Sequence, residues 1–368
     1  MQQMETRALN FSPGHDKLNI GILGVGDVAW RDYLPELHRL RDRIELGAVC
    51  AKHEGRARTA AKQYHARNWY TDAARIYADP EINAVINLTP IQAHFETNLE
   101  LLRNGKHAYT EKPLASTVAE AKILCEEAEQ HRLVLACAPA VLLFPQVRFA
   151  KSLYDNGEIG EVFSARAYGH GGVPPWRGYP SDPSPFFIQG GGPALDMGVY
   201  PLHALTGILG PVKRVTALTS RTRDGFVVQD GPAQGKYVPI QVDDNWQMLL
   251  DFGTGRIAYV AANNCVQDSR APQLELHGLK GTIALNLLDV SAPVEILRVG
   301  SDWERVQVPH QRAAGPDHIL GVEHLVDCLE HARAPVLSAQ HAIHVLDIIE
   351  HAARSAAEGR TLAVTSTF

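Results

Sequence analysis

From Leu18 to about Pro139, short apolar runs alternate with amphipathic stretches. The runs LNIGILG, IELGAVCA, AVINLT, HAYTE and LVLACA have the length and branched or aromatic content of strands. Between them, QAHFETNLELLRNG places Phe95, Leu99 and Leu102 at helical spacing and stops at Gly105. Strand and helix in alternation predict a parallel sheet covered by helices. Residues 18–139 therefore read as an α/β, doubly wound nucleotide-binding domain, preceded by an extension over residues 1–17.

After Pro139 the rhythm changes. A helix over FPQVRFAKSLYDNG is followed by strands with hairpin signals, among them WQMLLDFGTGRIAYVAANN around a Gly-Thr-Gly turn. Residues 140–368 read as an α+β domain with a large, mostly antiparallel open sheet. In the hairpin Trp246, Met248, Leu250 and Phe252 alternate with Leu249 and Asp251, and Ala258, Val260 and Ala262 with Ile257 and Tyr259. Both faces are substantially apolar, which predicts helices on one and another subunit on the other, as a dimer or tetramer. Residues 172–192, GVPPWRGYPSDPSPFFIQGGG, form the longest Pro/Gly-rich loop, and its aromatics argue for a functional loop over a disordered one. The closing helices ILGVEHLVDCLEHA and SAQHAIHVLDIIEHAARSAAEG carry no sign of which domain they pack on.

Composition narrows the classes. A chain of 368 residues exceeds the usual size of a single core, in keeping with two domains. A net charge of -6 and scattered Lys and Arg residues give no field for a nucleic acid. The five well-separated cysteines form no CxxC pair and fit a reducing compartment. No run is long enough to span a bilayer and the N-terminus lacks a signal-peptide pattern, so the expectation is a cytoplasmic protein. Seventeen histidines, including His341, His344 and His351 on the last helix, match no metal motif, and no metal is expected.

The chemistry begins at NIGILGVGDVAW, where Gly24, Gly26 and Ala29 have the spacing GxGxxA after a strand and before a helix. The first glycine permits the tight turn, the second admits a pyrophosphate to the backbone, and the small third residue packs helix on strand. Asp27 and Val28, which open the helix, join Gly24 and Gly26 as expected cofactor contacts. The next strand ends in AVCAKHEGR. An NAD enzyme usually presents an acid here to the ribose hydroxyls, yet this chain offers Ala51, then Lys52, with Arg56 a turn later. Two cations without a carboxylate suit a 2'-phosphate, so NADP is favoured over NAD; the same two cations would also serve merely to solvate a helix start.

Farther along, GGGPALDMGVYPLHAL carries Asp196, Tyr200 and His203 at helical spacing behind three glycines. This stripe is either the polar edge of a buried helix or the wall of a catalytic pocket. With TEKPL at residues 110–114 it carries a resemblance: the chain resembles the glucose-fructose oxidoreductase / inositol dehydrogenase / MocA (Gfo/Idh/MocA) family of nicotinamide-dependent oxidoreductases. The likeness runs from IGILGVG through NLTPIQAHFETNLELLRNGKHAYTEKPL and the glycine-led helix to SAAEGRTLAV.

The resemblance implies an N-terminal Rossmann domain, a C-terminal open-sheet domain, and hydride transfer between nicotinamide and a sugar or cyclitol carbon. By match it assigns Lys112, Asp196 and Tyr200 to catalysis and substrate, and places Thr89, Pro90, His94, Glu111 and Lys112 along the cofactor. Many members hold His where this chain has Tyr200, so histidine-base chemistry does not carry over.

Oxidising a secondary alcohol needs a base within hydrogen-bond reach of the hydroxyl. Tyrosine, with a reference pKa of about 10, would need a neighbouring Lys112 ammonium and an oxidised nicotinamide to favour its phenolate. Asp196 would hold that ammonium; it also suits a helix dipole. His203, three residues after Tyr200, is the alternative base or a supporting residue, and Pro201 between them is expected to bend the helix. Trp176, Arg177 and Phe186 are the expected substrate wall, because aromatic faces and a guanidinium suit a polyhydroxylated ring. The competing readings are a same-fold glycosidase acting by transient oxidation with NAD, and a non-catalytic cofactor sensor.

Overall fold

A computed structural model describes residues 17–368. The extension read at residues 1–17 therefore lies, but for Lys17, outside the described residues. The chain divides into two compact units: the first runs through Ala140 and includes His318–Ala342, and the second comprises Val141–Asp317 and Ile343–Phe368.

In the first unit, β1 (Leu18–Leu23), β2 (Ile44–Cys50), β3 (Asn68–Tyr70), β4 (Ala84–Asn87), β5 (His107–Thr110) and β6 (Leu135–Cys137) form a wholly parallel sheet in the order β3-β2-β1-β4-β5-β6. This is the expected doubly wound sheet, with one strand, the three-residue β3, too short to read from periodicity. Helices α1 (Glu54–Tyr64), α2 (Ala74–Tyr77), α3 (His94–Arg103) and α4 (Val118–Gln130) connect the strands. Every residue of β1 is buried, as a central strand covered on both faces requires. Strand order reverses between β1 and β4, and Leu23 pairs with Asn87 there. The carboxyl ends of β1, β2, β4 and β5 thus share one edge, where ligands bind in such sheets.

The expected helix after β1 departs from regular α geometry. Ala29–Tyr33 is a π turn and Leu34–Leu40 a 3-10 segment. Pro35 supplies no N–H and its ring would crowd the carbonyl four residues back; the amide of Leu34 instead bonds the carbonyl of Ala29, five residues back.

The second unit starts with α5 (Pro145–Asp155) and β7 (Val162–His170), then the short α6 (Pro193–Asp196) and α7 (Val199–Leu209). Strands β8 (Arg214–Ser220), β11 (Asn245–Gly253), β12 (Arg256–Asn263), β13 (Leu274–Gly278), β14 (Gly281–Leu285), β15 (Val294–Arg298), β16 (Glu304–Val306) and β17 (Leu362–Ala363) join β7 in a nine-stranded sheet. All its pairings are antiparallel except β12 with β7. β9 (Gly225–Val227) and β10 (Tyr237–Pro239) form a separate ribbon. The Gly253-Thr254-Gly255 turn closes the β11–β12 hairpin, all three residues at positive φ. Met248, Leu250, Ala258 and Val260 lie wholly buried on the face that α5, α6 and α7 cover. On the opposite face Leu249 and Ile257 are each 52% exposed and Leu218 74%.

The chain then forms α8 (Ile319–His331) and α9 (Ala339–Glu358). The domain boundaries differ here from the expectation of one domain over residues 140–368, because α8 belongs to the first unit. It packs on β5 and β6, with Arg43 bonded to Asp327 and Glu330 and Arg39 to Glu323.

Candidate active site

The turn after β1 is built for close approach. Gly24 has φ +90, and a Cβ there would overlap the Leu88 carbonyl, so the glycine lets β1 and β4 converge. A Cβ at Gly26 would meet nothing within 4 Å. The two fingerprint glycines therefore do different work: one fits the chain to itself, the other leaves its outer side open. Ala29 is fully buried beneath, while Asp27 and Val28 are half-buried and Asp27 pairs with Arg31. This open backbone turn at the switch point fits a dinucleotide pyrophosphate.

Beside it, Ala51 is half-buried at the end of β2, and Lys52 and Arg56 are exposed around the start of α1. Among the described residues neither cation is engaged in an ion pair. Arg75 lies over the ring of Tyr70, at the end of β3, with 5.4 Å to the centroid.

The Thr89–Pro90 turn and the Glu111–Lys112–Pro113 loop are joined by a buried polar network. Asn87 Oδ1 accepts from the Thr89 N–H at 3.1 Å and from Thr89 Oγ1 at 2.7 Å, and Asn87 Nδ2 donates to Asn98 Oδ1 at 2.9 Å. Asn98 Nδ2 reaches Thr110 Oγ1 at 3.2 Å. His94, 1% exposed, sets Nε2 2.8 Å from the Thr89 carbonyl and Nδ1 2.6 Å from that of Pro113. Burial pulls its pKa below the ordinary value, against the two carbonyls. His94 thus struts two loops, where the resemblance made it a cofactor-lining residue. The network also explains α3: its buried residues are His94, Asn98, Leu101 and Leu102, while the expected Phe95 and Leu99 are only half-buried.

Glu111 is buried, and its carboxylate accepts from the Tyr33 hydroxyl at 2.5 Å and from the Lys112 amide at 3.1 Å. Lys112 itself is half-buried. Asn87, Asn98, Thr110 and Tyr33 were missed by sequence reasoning; the signal that could have found Asn87 and Thr110 was their polarity inside the apolar runs AVINLT and HAYTE.

In the second unit the glycine-led stripe is not one helix. Asp196 ends α6, a turn over Met197–Gly198 follows, and α7 carries Tyr200 and His203. The interruption is packing: Gly198 abuts Ala262 of β12, and Gly169 of β7 lies against the Met197 carbonyl. Pro201, expected to bend the helix, sits in the first turn of α7, past the break. Gly192, at φ +94, turns the chain against Val242, so the protein's own packing requires it. Tyr200 and His203 are buried at 6% and 5% exposure and Asp196 is half-buried.

The 172–192 loop is ordered by an aromatic cluster. Trp176 meets Phe187 at 5.1 Å and Phe186 at 5.7 Å, over a core of Phe187, Phe226, Val228, Val238 and Ile240 that includes the β9–β10 ribbon. Arg177 is exposed beside it. The Gly178 amide donates to Asp230, and Lys236 pairs with Asp182 at 2.6 Å.

No group of His, Cys, Asp and Glu among the described residues could hold a metal. His344 is instead structural: Nε2 accepts the Val212 N–H at 3.0 Å and Nδ1 lies 2.9 Å from Ser366 Oγ. His351 pairs with Asp347 at 2.9 Å. No helix among the described residues is long and apolar enough to cross a membrane.

Comparison with known proteins places this architecture. Residues 18–138 match the model of an oxidoreductase family with an NAD-binding Rossmann fold, and residues 147–284 that of the GFO/IDH/MocA C-terminal domain. The chain is 32% identical over 250 residues to the D-glucoside 3-dehydrogenase of Escherichia coli, covering 66% of this chain and 69% of that protein. It is 27% identical over 244 residues to the levoglucosan dehydrogenase of Pseudarthrobacter phenanthrenivorans, covering 62% of each. The apo structure of a levoglucosan dehydrogenase superposes with a TM-score of 0.84 at 21% identity, over 96% of this chain and 100% of that one. With both domain models matched in order, the first including the open glycine turn, the chain belongs to the Gfo/Idh/MocA family of NAD(P)-dependent oxidoreductases.

Proposed function

We propose that this protein moves hydride between a nicotinamide and a secondary alcohol or ketone of a sugar, sugar derivative or cyclitol. The observation that carries this reading is the sharing of one sheet edge by the open side of Gly26 and the Lys112 loop. Relatives named for levoglucosan, D-glucosides and scyllo-inositol support the substrate class.

When bound, the nicotinamide supplies the hydride acceptor or donor. The chain's own task is the proton. Lys112 and Tyr200 serve the reacting oxygen, Tyr200 taking its proton on oxidation and returning one on reduction. Asp196 is assigned to the same proton chemistry, and His203 supports Tyr200. Thr89, Pro90, Glu111 and Lys112 bound the cofactor, with His94 behind them. Trp176, Arg177 and Phe186 form the substrate wall.

Lys52 and Arg56 favour NADP by offering two cations to a 2'-phosphate. The apolar face at Leu218, Leu249 and Ile257 supports a homo-oligomer through the second sheet. Five free cysteines, four of them buried, support a reducing, cytoplasmic location.

The test is incubation with levoglucosan, methyl glucosides and scyllo-inositol, each with NAD+ and NADP+. Stoichiometric growth of reduced-nicotinamide absorbance supports a dehydrogenase. Glycoside cleavage without net reduction identifies a glycosidase acting by transient oxidation, and binding without turnover a sensor. Lys112→Ala abolishes turnover with little change in cofactor affinity; retained turnover removes Lys112 from the chemistry.

A further inference from the structure

The π turn after the fingerprint does more than accommodate Pro35. Its last residue, Tyr33, is fully buried and donates its hydroxyl to Glu111 Oε1 at 2.5 Å, while Glu111 Oε2 accepts the Lys112 amide at 3.1 Å. One carboxylate is therefore held on one side by Tyr33 and on the other holds the backbone of Lys112.

The Tyr33 ring is itself clamped. It stacks on His318 at 6.2 Å and 19°, and meets Tyr109 at 6.2 Å and 57°, with the two hydroxyls 3.3 Å apart. Behind Tyr109, Gly321 in the first turn of α8 has no room for a Cβ because the Tyr109 hydroxyl fills that space. Burial, and then the charge of Glu111, drive the Tyr33 pKa well above its ordinary value. The hydroxyl is thus a permanent donor.

A π turn carries one more residue per hydrogen-bonded ring than an α turn, so it changes which side chains face inward. Here Asp32 and Tyr33 are buried, at 1% and 0% exposure, and Arg31 pairs with Asp32 at 2.8 Å from the outside. Such turns recur at functional sites. In this chain the turn links the cofactor fingerprint to the Lys112 loop.

We propose that Tyr33 is a positioning residue for Lys112, acting through Glu111 and held in place by His318 and Tyr109. The proposal deepens, and rests on, the assignment of Lys112 to the reacting oxygen.

The experiment pairs amide hydrogen exchange of the ligand-free protein with steady-state kinetics on levoglucosan and methyl glucosides. In Tyr33→Phe, exchange of the Lys112 amide rises about tenfold, the worth of roughly one hydrogen bond. In the same variant kcat falls about tenfold, with KM and dinucleotide Kd within about twofold. Glu111→Gln, whose amide keeps only one acceptor oxygen, reproduces both changes and carries the test alone if Tyr33→Phe does not fold. Unchanged exchange in the folded variants overturns the proposal. So does unchanged kcat in Tyr33→Phe where Lys112→Met abolishes turnover, a result that leaves the role of Lys112 intact. Full turnover in Lys112→Met instead overturns the assignment beneath, and the proposal with it.

Discussion

The imidazole of His94 and the carbonyl of Pro113 meet at 2.6 Å, and the other ring nitrogen lies 2.8 Å from the carbonyl of Thr89. A single buried side chain from α3 therefore sets the spacing of two loops at the cofactor edge. The neutral ring carries one N–H for these two carbonyls, so His94→Ala removes one hydrogen bond and the packing of the ring between the loops, at a cost of about 1–3 kcal/mol. Denaturant unfolding measures this, and titration with dinucleotide is expected to show about tenfold weaker binding. A variant that loses stability yet keeps full dinucleotide affinity would separate the strut from the site.

Gly24 and Gly26 separate folding from binding. Gly24→Ala forces a Cβ into the Leu88 carbonyl at φ +90 and is expected to destabilise the first unit by more than about 1 kcal/mol. Gly26→Val places its side chain in open space, so the midpoint of thermal unfolding stays within a few degrees while dinucleotide affinity falls at least about tenfold. Equal affinity in Gly26→Val would place the pyrophosphate elsewhere.

Cofactor preference is read from Lys52 and Arg56. A charge-assisted hydrogen bond to a phosphate is worth about 1.5–3 kcal/mol, so Arg56→Ala is expected to weaken NADP by roughly tenfold or more and leave NAD unchanged. Dissociation constants for both dinucleotides decide it. Tighter NAD binding by the unaltered protein overturns the preference.

His344 gives a pH dependence with a definite sign. Burial pushes its pKa down to about 4, against the opposing pull of Asp347 and of the Ser366 contact; the neutral ring also accepts the Val212 amide, a bond that protonation of that nitrogen would remove. In the unfolded chain the ring titrates near 6.5. Between these values the unfolded chain binds more protons, so the contribution is complete above about pH 6.5 and lost as pH falls toward 4. The full window amounts to roughly 3 kcal/mol. His344→Gln, which keeps an acceptor and a donor but does not titrate, is expected to flatten stability across that window; a slope equal to that of the unaltered protein would assign the loss to other groups.

Periodicity and glycine chemistry act over a few residues, and what they govern was legible in the chain itself. Five of the six strands of the first sheet, the turn at Gly24, the change to an antiparallel sheet and the β11–β12 hairpin follow from local patterns. The family motifs at residues 110–114 and 190–205 likewise stand in the sequence. Tertiary packing decided the rest, because each remaining feature depends on partners far along the chain. The stripe of Asp196, Tyr200 and His203 breaks at Gly198 because β7 and β12 press against it. The buried side of α3 includes His94 and Asn98 beside Leu101 and Leu102 because the ends of β4 and β5 offer hydrogen bonds there. The aromatic loop is ordered because a ribbon some forty to fifty residues later completes its core. Tyr33 comes to hold Glu111, 78 residues away, because a proline opens a π turn and α8 returns to cover it.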